Sequence, residues 1–152
     1  MRPVLAAPEA ALRRAEEEFA RARAAARAAV LPTEDGEYVR VSFLANAVAD
    51  SFEGIEMVLR RIALDIDDFL PRGADWHGAL ISQMAAPGDL RPPVITEPTA
   101  LLLHDLRKFR HLVRHHYAVD LKPALVEENV ARMGEALTAF RQDFAAFTRA
   151  LG

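Results

Sequence analysis

The sequence predicts an all-α fold, an up-and-down bundle of four to five helices formed as a single domain over residues 1–152. Three observations lead there. Apolar residues recur at three- and four-residue spacing along most of the chain, and no stretch alternates with the two-residue rhythm of a strand. Hydrophobic residues make up 51% of 152 residues, enough for one real core and too short a chain for two. Breaks rich in proline and glycine separate the periodic stretches.

The first helix is expected from Pro8 to Val30, where Ala, Arg and Glu give high helix propensity but few large apolar side chains. Leu31-Pro32-Thr33-Glu34-Asp35-Gly36 breaks it. A second helix, from about Tyr38 to Leu70, points Phe43, Leu44, Ala47, Phe52, Ile55, Val58, Leu59, Ile62 and Ile66 toward a core and stops at Pro71-Arg72-Gly73. A short third helix, Asp75 to Ala85, has Asp75 as its expected N-cap, Trp76 as an anchor and His77 capping or packing. Pro87-Gly88 and Pro92-Pro93 make an irregular connection. Thr96 or Glu97 then caps a fourth helix, with Pro98 suited to its first turn. The last helix starts near Lys122-Pro123; Val126, Val130, Met133, Leu137, Phe140, Phe144, Phe147 and Leu151 alternate four and three apart, the pattern of a bundle seam.

Composition excludes several functions. Without cysteine there is no disulfide, thiolate metal site or cysteine nucleophile, which fits a reducing cytosol; the cytoplasm is the expected location. No apolar run approaches the ~18 residues of a membrane span, and MRPVLAAPEAAL is too short and too broken by Pro3, Pro8 and Glu9 for a secretion signal. Ser42, Ser51 and Ser82 sit in no nucleophile-elbow context, and there is no glycine-rich phosphate loop. Net charge is −3, which argues against a general nucleic-acid coat.

Basic character is instead local. His104, His111, His115 and His116 fall within HDLRKFRHLVRHHY, interleaved with Arg107, Lys108, Arg110 and Arg114. Guanidiniums hold phosphate, and imidazoles exchange protons near neutral pH. At roughly 100° per residue, Leu102, Leu106, Phe109 and Val113 line one face, the expected core contact. His104, Lys108, His111 and His115 line nearly the opposite face, with Arg107 and Arg114 as a shoulder and Arg110 and Tyr117 closer to the core boundary. On pattern alone such a face is more often solvated surface than site. His111 and His115 also have the spacing of a metal pair, but no nearby carboxylate or cysteine completes it, so neither metal nor cofactor is expected. Arg110 and His115 lie about 140° apart on a regular helix and do not easily converge on one atom; a two-fold dimer would bring a second copy alongside.

Read as a motif, Arg110-His111-Leu112-Val113-Arg114-His115-His116-Tyr117 is Arg, four residues, His, one residue, Tyr. It resembles the signature of HEPN-domain ribonucleases, in particular the HepT-like toxins of toxin–antitoxin pairs. WHGALISQMA (Trp76 to Ala85), Arg91-Pro92 and FRHLVRHHY (Phe109 to Tyr117) are similar, in that order, to a HepT-like subgroup, and IEMVLRRIALDIDDFLP (Ile55 to Pro71) extends the likeness. The resemblance implies an all-α HEPN-like bundle that dimerises and cuts RNA without metal in a cleft between paired motifs. By position, it implies Arg110 holding the scissile phosphate and His115 as general base or acid for attack by the ribose 2′-hydroxyl, with His111 hydrogen-bonding in the cleft; His111 and His116 remain alternative working imidazoles. It also implies Tyr117 as the residue that a nucleotidyltransferase-type antitoxin modifies with AMP. Charge alone adds Arg114 and Lys108 as contacts to the RNA backbone. The competing expectation is a non-catalytic helical module that binds a nucleotidyltransferase partner or a nucleotide.

Overall fold

A computed structural model describes residues 2–28, 34–115 and 121–152. After a 3-10 turn at Pro3–Leu5 come five helices: α1 (Ala6–Ala28), α2 (Glu34–Ile62), α3 (Trp76–Ala85), α4 (Glu97–His115) and α5 (Pro123–Leu151). The all-α bundle predicted from periodicity is what forms. Among the described residues the only extended pairing is a bridge between Gly88 and Arg91. No helix of the described residues is long and apolar enough to cross a membrane.

The apolar face of α2 is the axis of the bundle, and each other helix packs on it. Leu44, Phe52, Ile55, Val58, Leu59 and Ile62 are buried there, as the periodicity predicts. Phe43 is not: it is 46% exposed, because it falls outside the arc of α2 that carries Leu44, Phe52, Ile55, Val58, Leu59 and Ile62. Where α1 crosses α2, a Cβ at Gly54 would come within 3.0 Å of the Ala15 Cβ, so glycine there permits the close approach. On α5 the seam from Val126 to Phe147 is buried throughout. Arg141 of α5 donates to Glu9 and Glu16 of α1, at 2.7 Å and 2.6 Å, and pins α1 to the bundle.

Two elements differ from expectation for clear reasons. The second helix does not run regularly to Leu70. After Ile62 it widens into a π-turn over Ala63–Asp67, and Asp68, in the left-handed region at φ 50°, ends it. On α4 the buried arc is Thr99, Ala100, Leu103, Leu106 and Phe109, with Leu102 and Val113 only half-buried. That arc is turned by roughly 60° from the expected stripe, toward the arginines. The cause is packing on several sides, since α3 covers α4 in addition to α2 and α5.

The π-turn carries Asp67 to the one fully buried cation of the connection between α3 and α4. Arg91 Nε and Nη2 donate to the two Asp67 oxygens at 2.7 Å and 2.6 Å, and its side chain is 1% exposed. Its remaining hydrogens go to the carbonyls of Gln83, Ala86 and Pro92, so one guanidinium satisfies the C-terminal end of α3. At the other end of the connection Thr96 donates through both N–H and Oγ1 to Asp143 of α5, fixing the start of α4. Burial pushes the Asp67 carboxyl up, but its hydrogen bonds from Arg91 and Gln83 outweigh this and hold it below its ordinary value of 3.8.

Removing the Asp67 carboxylate strands a buried charge. Asp67→Ala is expected to cost about 3–5 kcal/mol in chemical denaturation. A depressed carboxyl contributes fully above its ordinary value and loses that contribution as pH falls through the folded value. Asp67→Asn should therefore show a shallower loss of stability than wild type between about pH 5 and pH 2.

Candidate functional site

The rotation of α4 decides where its charges go. Arg107, Arg110 and Arg114, three and then four residues apart, fall at the edge of the buried arc and face neighbouring elements. Arg107 donates to Asp75 at 3.1 Å. Asp75 sits at the N-cap position of α3, yet its side chain makes no cap bond. Arg110 Nε and Nη2 both lie on Glu53 Oε1, at 3.1 Å and 3.0 Å. Arg114 reaches three residues of α2: Nε to Glu53 Oε1 at 3.2 Å, Nη1 to Asn46 Oδ1 at 3.1 Å, and Nη2 to Asp50.

A sequence window around the arginines contains two acids against five bases, and reads as an open cationic face. The folded chain supplies the missing anions from α2. Burial raises the Glu53 carboxyl, but the hydrogen bonds and charge of Arg114, then Arg110, bring it net below the ordinary range. Arg114 is pushed up, chiefly by its hydrogen bond to Glu53, against desolvation and with help from Asp50. Together Asp50, Glu53, Arg110 and Arg114 sum to zero charge.

The imidazoles take the other side. His111 and His115 are exposed, with ring centroids 4.3 Å apart and planes tilted by 38°. Lys108 is exposed beside them and His104 is half-buried. Because α4 stays helical through His115, Arg110 points at α2 while His115 points to solvent, and within one chain they are not brought together. His116 and Tyr117 lie outside the described residues. Among the described residues no three His, Asp or Glu side chains are placed to hold a metal ion.

A family model described as HepT-like protein matches residues 43–151, which takes in α3, α4, α5 and most of α2. The chain belongs to the HepT-like family. No match was found among curated proteins or among solved structures. The matched span of the HepT-like chain holds every polar partner just described, Asn46, Asp50 and Glu53 included, and leaves α1 outside.

One polar pair between α2 and α3 was not foreseen from sequence. Glu56 of α2, 7% exposed, binds His77 Nδ1, and the His77 ring stacks on Trp76 with centroids 3.7 Å apart. The Arg60 guanidinium also lies over the Trp76 ring, 5.2 Å from its centre. Trp76 thus anchors α3, and His77 packs rather than caps. An acid between Ile55 and Val58 is the signal that pointed to it, since a carboxylate on a core stripe requires a buried partner.

Truncating one member of that pair leaves the other without its partner in a largely buried place. Glu56→Ala is expected to lower stability by about 1–3 kcal/mol. A double-mutant cycle with His77→Ala should give a coupling of at least about 0.5 kcal/mol, measured by denaturant titration. Additive single costs would show that the two side chains act independently.

Proposed function

We propose that the chain is a metal-independent endoribonuclease, the toxin half of a toxin–antitoxin pair, working as a homodimer with a composite site. Arg110 of one protomer holds the scissile phosphate, and His115 of the other handles the proton. The 2′-hydroxyl loses its proton to an imidazole and attacks phosphorus; the bond to the 5′-oxygen breaks, and that oxygen takes up a proton. A cyclic phosphate and a free 5′-hydroxyl result. Lys108, His111 and His116 line the RNA path. Tyr117 is the modification site for the partner nucleotidyltransferase, where AMP adds bulk and negative charge beside the phosphate site.

The observation that carries this reading is the division of α4 itself. The Arg and His of the motif sit on different sides of one regular helix, an arrangement that yields a working pair only when a second copy faces the first. A surface for that copy is at hand. Val39, Phe43 and Met57 are 62%, 46% and 60% exposed, and share one stripe of α2 with Asn46, Asp50 and Glu53.

The pairing of Arg110 and Arg114 with α2 acids favours the second reading, a non-catalytic module whose charges are already satisfied. Such a module binds a nucleotidyltransferase or a nucleotide and leaves RNA intact. Incubation of the purified chain with RNA in EDTA separates the two. The nuclease reading expects cleavage that falls by at least about 100-fold in Arg110→Ala and in His115→Ala. Intact RNA, or cleavage that survives both changes, would remove it. On co-expression with the partner, mass spectrometry should find adenylate on Tyr117; modification only elsewhere would count against that assignment.

A further inference from the structure

The two arginines that share Glu53 are not held alike. Every nitrogen of the Arg114 guanidinium lies on an acceptor of α2: Nε on Glu53, Nη1 on Asn46, Nη2 on Asp50 and, at 3.4 Å, on Glu53 Oε2. Arg110 is held along one edge only. Its Nε and Nη2 meet the single oxygen Oε1 of Glu53, and Nη1 has no protein partner among the described residues. The end-on edge formed by Nη1 and Nη2 is therefore the one left to grip two oxygens of a phosphate.

We infer that Glu53 is the positioning residue of the ribonuclease site: it orients Arg110 for the phosphate, and Arg114 is the anchor that holds Glu53 in place. The inference rests on the nuclease reading above. It gives Arg114 a different part from the RNA contact that its charge alone suggests. A phosphate seeking Arg114 must displace four hydrogen bonds from Asn46, Asp50 and Glu53; one seeking Arg110 displaces none.

The sign of the effect on each kinetic constant follows. A carboxylate beside a phosphate site repels substrate, so Glu53 weakens binding of RNA. Its benefit lies in the reacting step, where a fixed guanidinium stabilises charge developing on the phosphate without reorganising. The two consequences oppose each other. A residue that only supported the fold would reduce the active fraction, lowering the apparent kcat and leaving KM unchanged.

The test uses the full chain and a short fluorescent RNA, with helical content checked by circular dichroism. Glu53→Gln keeps the shape and removes the charge; kcat is expected to fall roughly 10- to 100-fold while KM drops. Arg114→Met should reproduce the fall in kcat, and it carries the comparison if Glu53→Gln does not fold. In binding titrations Arg114→Met should keep the wild-type salt slope, whereas Arg110→Met, which loses a phosphate contact, should lower it by about 0.7. An active wild type whose Glu53→Gln variant retains its kcat overturns the role of Glu53, as does a fall in kcat with no drop in KM. A salt slope reduced in Arg114→Met would return that residue to the RNA. A wild type that cuts no RNA overturns the nuclease reading, and the role of Glu53 with it.

Discussion

A regular helix cannot aim two side chains five residues apart at one atom, and α4 is regular from Glu97 to His115. The remaining features of the site follow from that constraint. The arginines at 107, 110 and 114 share the side of α4 that meets α2 and α3, so they need anions, and Asp75, Asp50 and Glu53 supply them. The histidines at 111 and 115 share the outer side, so their rings meet at a tilt, exposed to solvent. One helix thus presents its guanidiniums and its imidazoles to different neighbours.

Polar pairs set the frame that holds this helix. Arg91 and Asp67 lock the end of α3 to the π-turn that closes α2, and Thr96 with Asp143 locks the start of α4 to α5. Glu56 and His77 tie the first turn of α3 back to α2. Each pair joins residues far apart in sequence; burial of Arg91 and Glu56 strengthens their bonds, whereas Thr96 is exposed. The irregular connection from Ala86 to Ile95 is therefore held by directional bonds, with Val94 and Ile95 donating to the Met84 carbonyl.

Much of the fold was legible in the sequence. Apolar spacing placed all five helices to within a few residues at most ends, because helix periodicity survives without knowledge of neighbours. The seam of α5 was read almost residue by residue, since it faces one continuous core. The rotation of α4 was not legible: it depends on α3 packing from a second side, which no local pattern encodes. The same limit hid the site. The family motif singled out Arg110 and His115, but the acids that neutralise Arg110 and Arg114 stand some sixty residues earlier. The spacing of Asn46, Asp50 and Glu53 puts them on one stripe of α2, but nothing in that local pattern links the stripe to α4.

Mixing two inactive chains decides whether the working guanidinium and imidazole come from different protomers. Arg110→Ala and His115→Ala protomers would be purified separately, combined in equal amounts under conditions that exchange subunits, and assayed on RNA. A shared site predicts recovery to about a quarter of wild-type activity, since half the dimers are mixed and each mixed dimer rebuilds one intact site of two. Mixed dimers that form but stay as inactive as their parents would contradict the account.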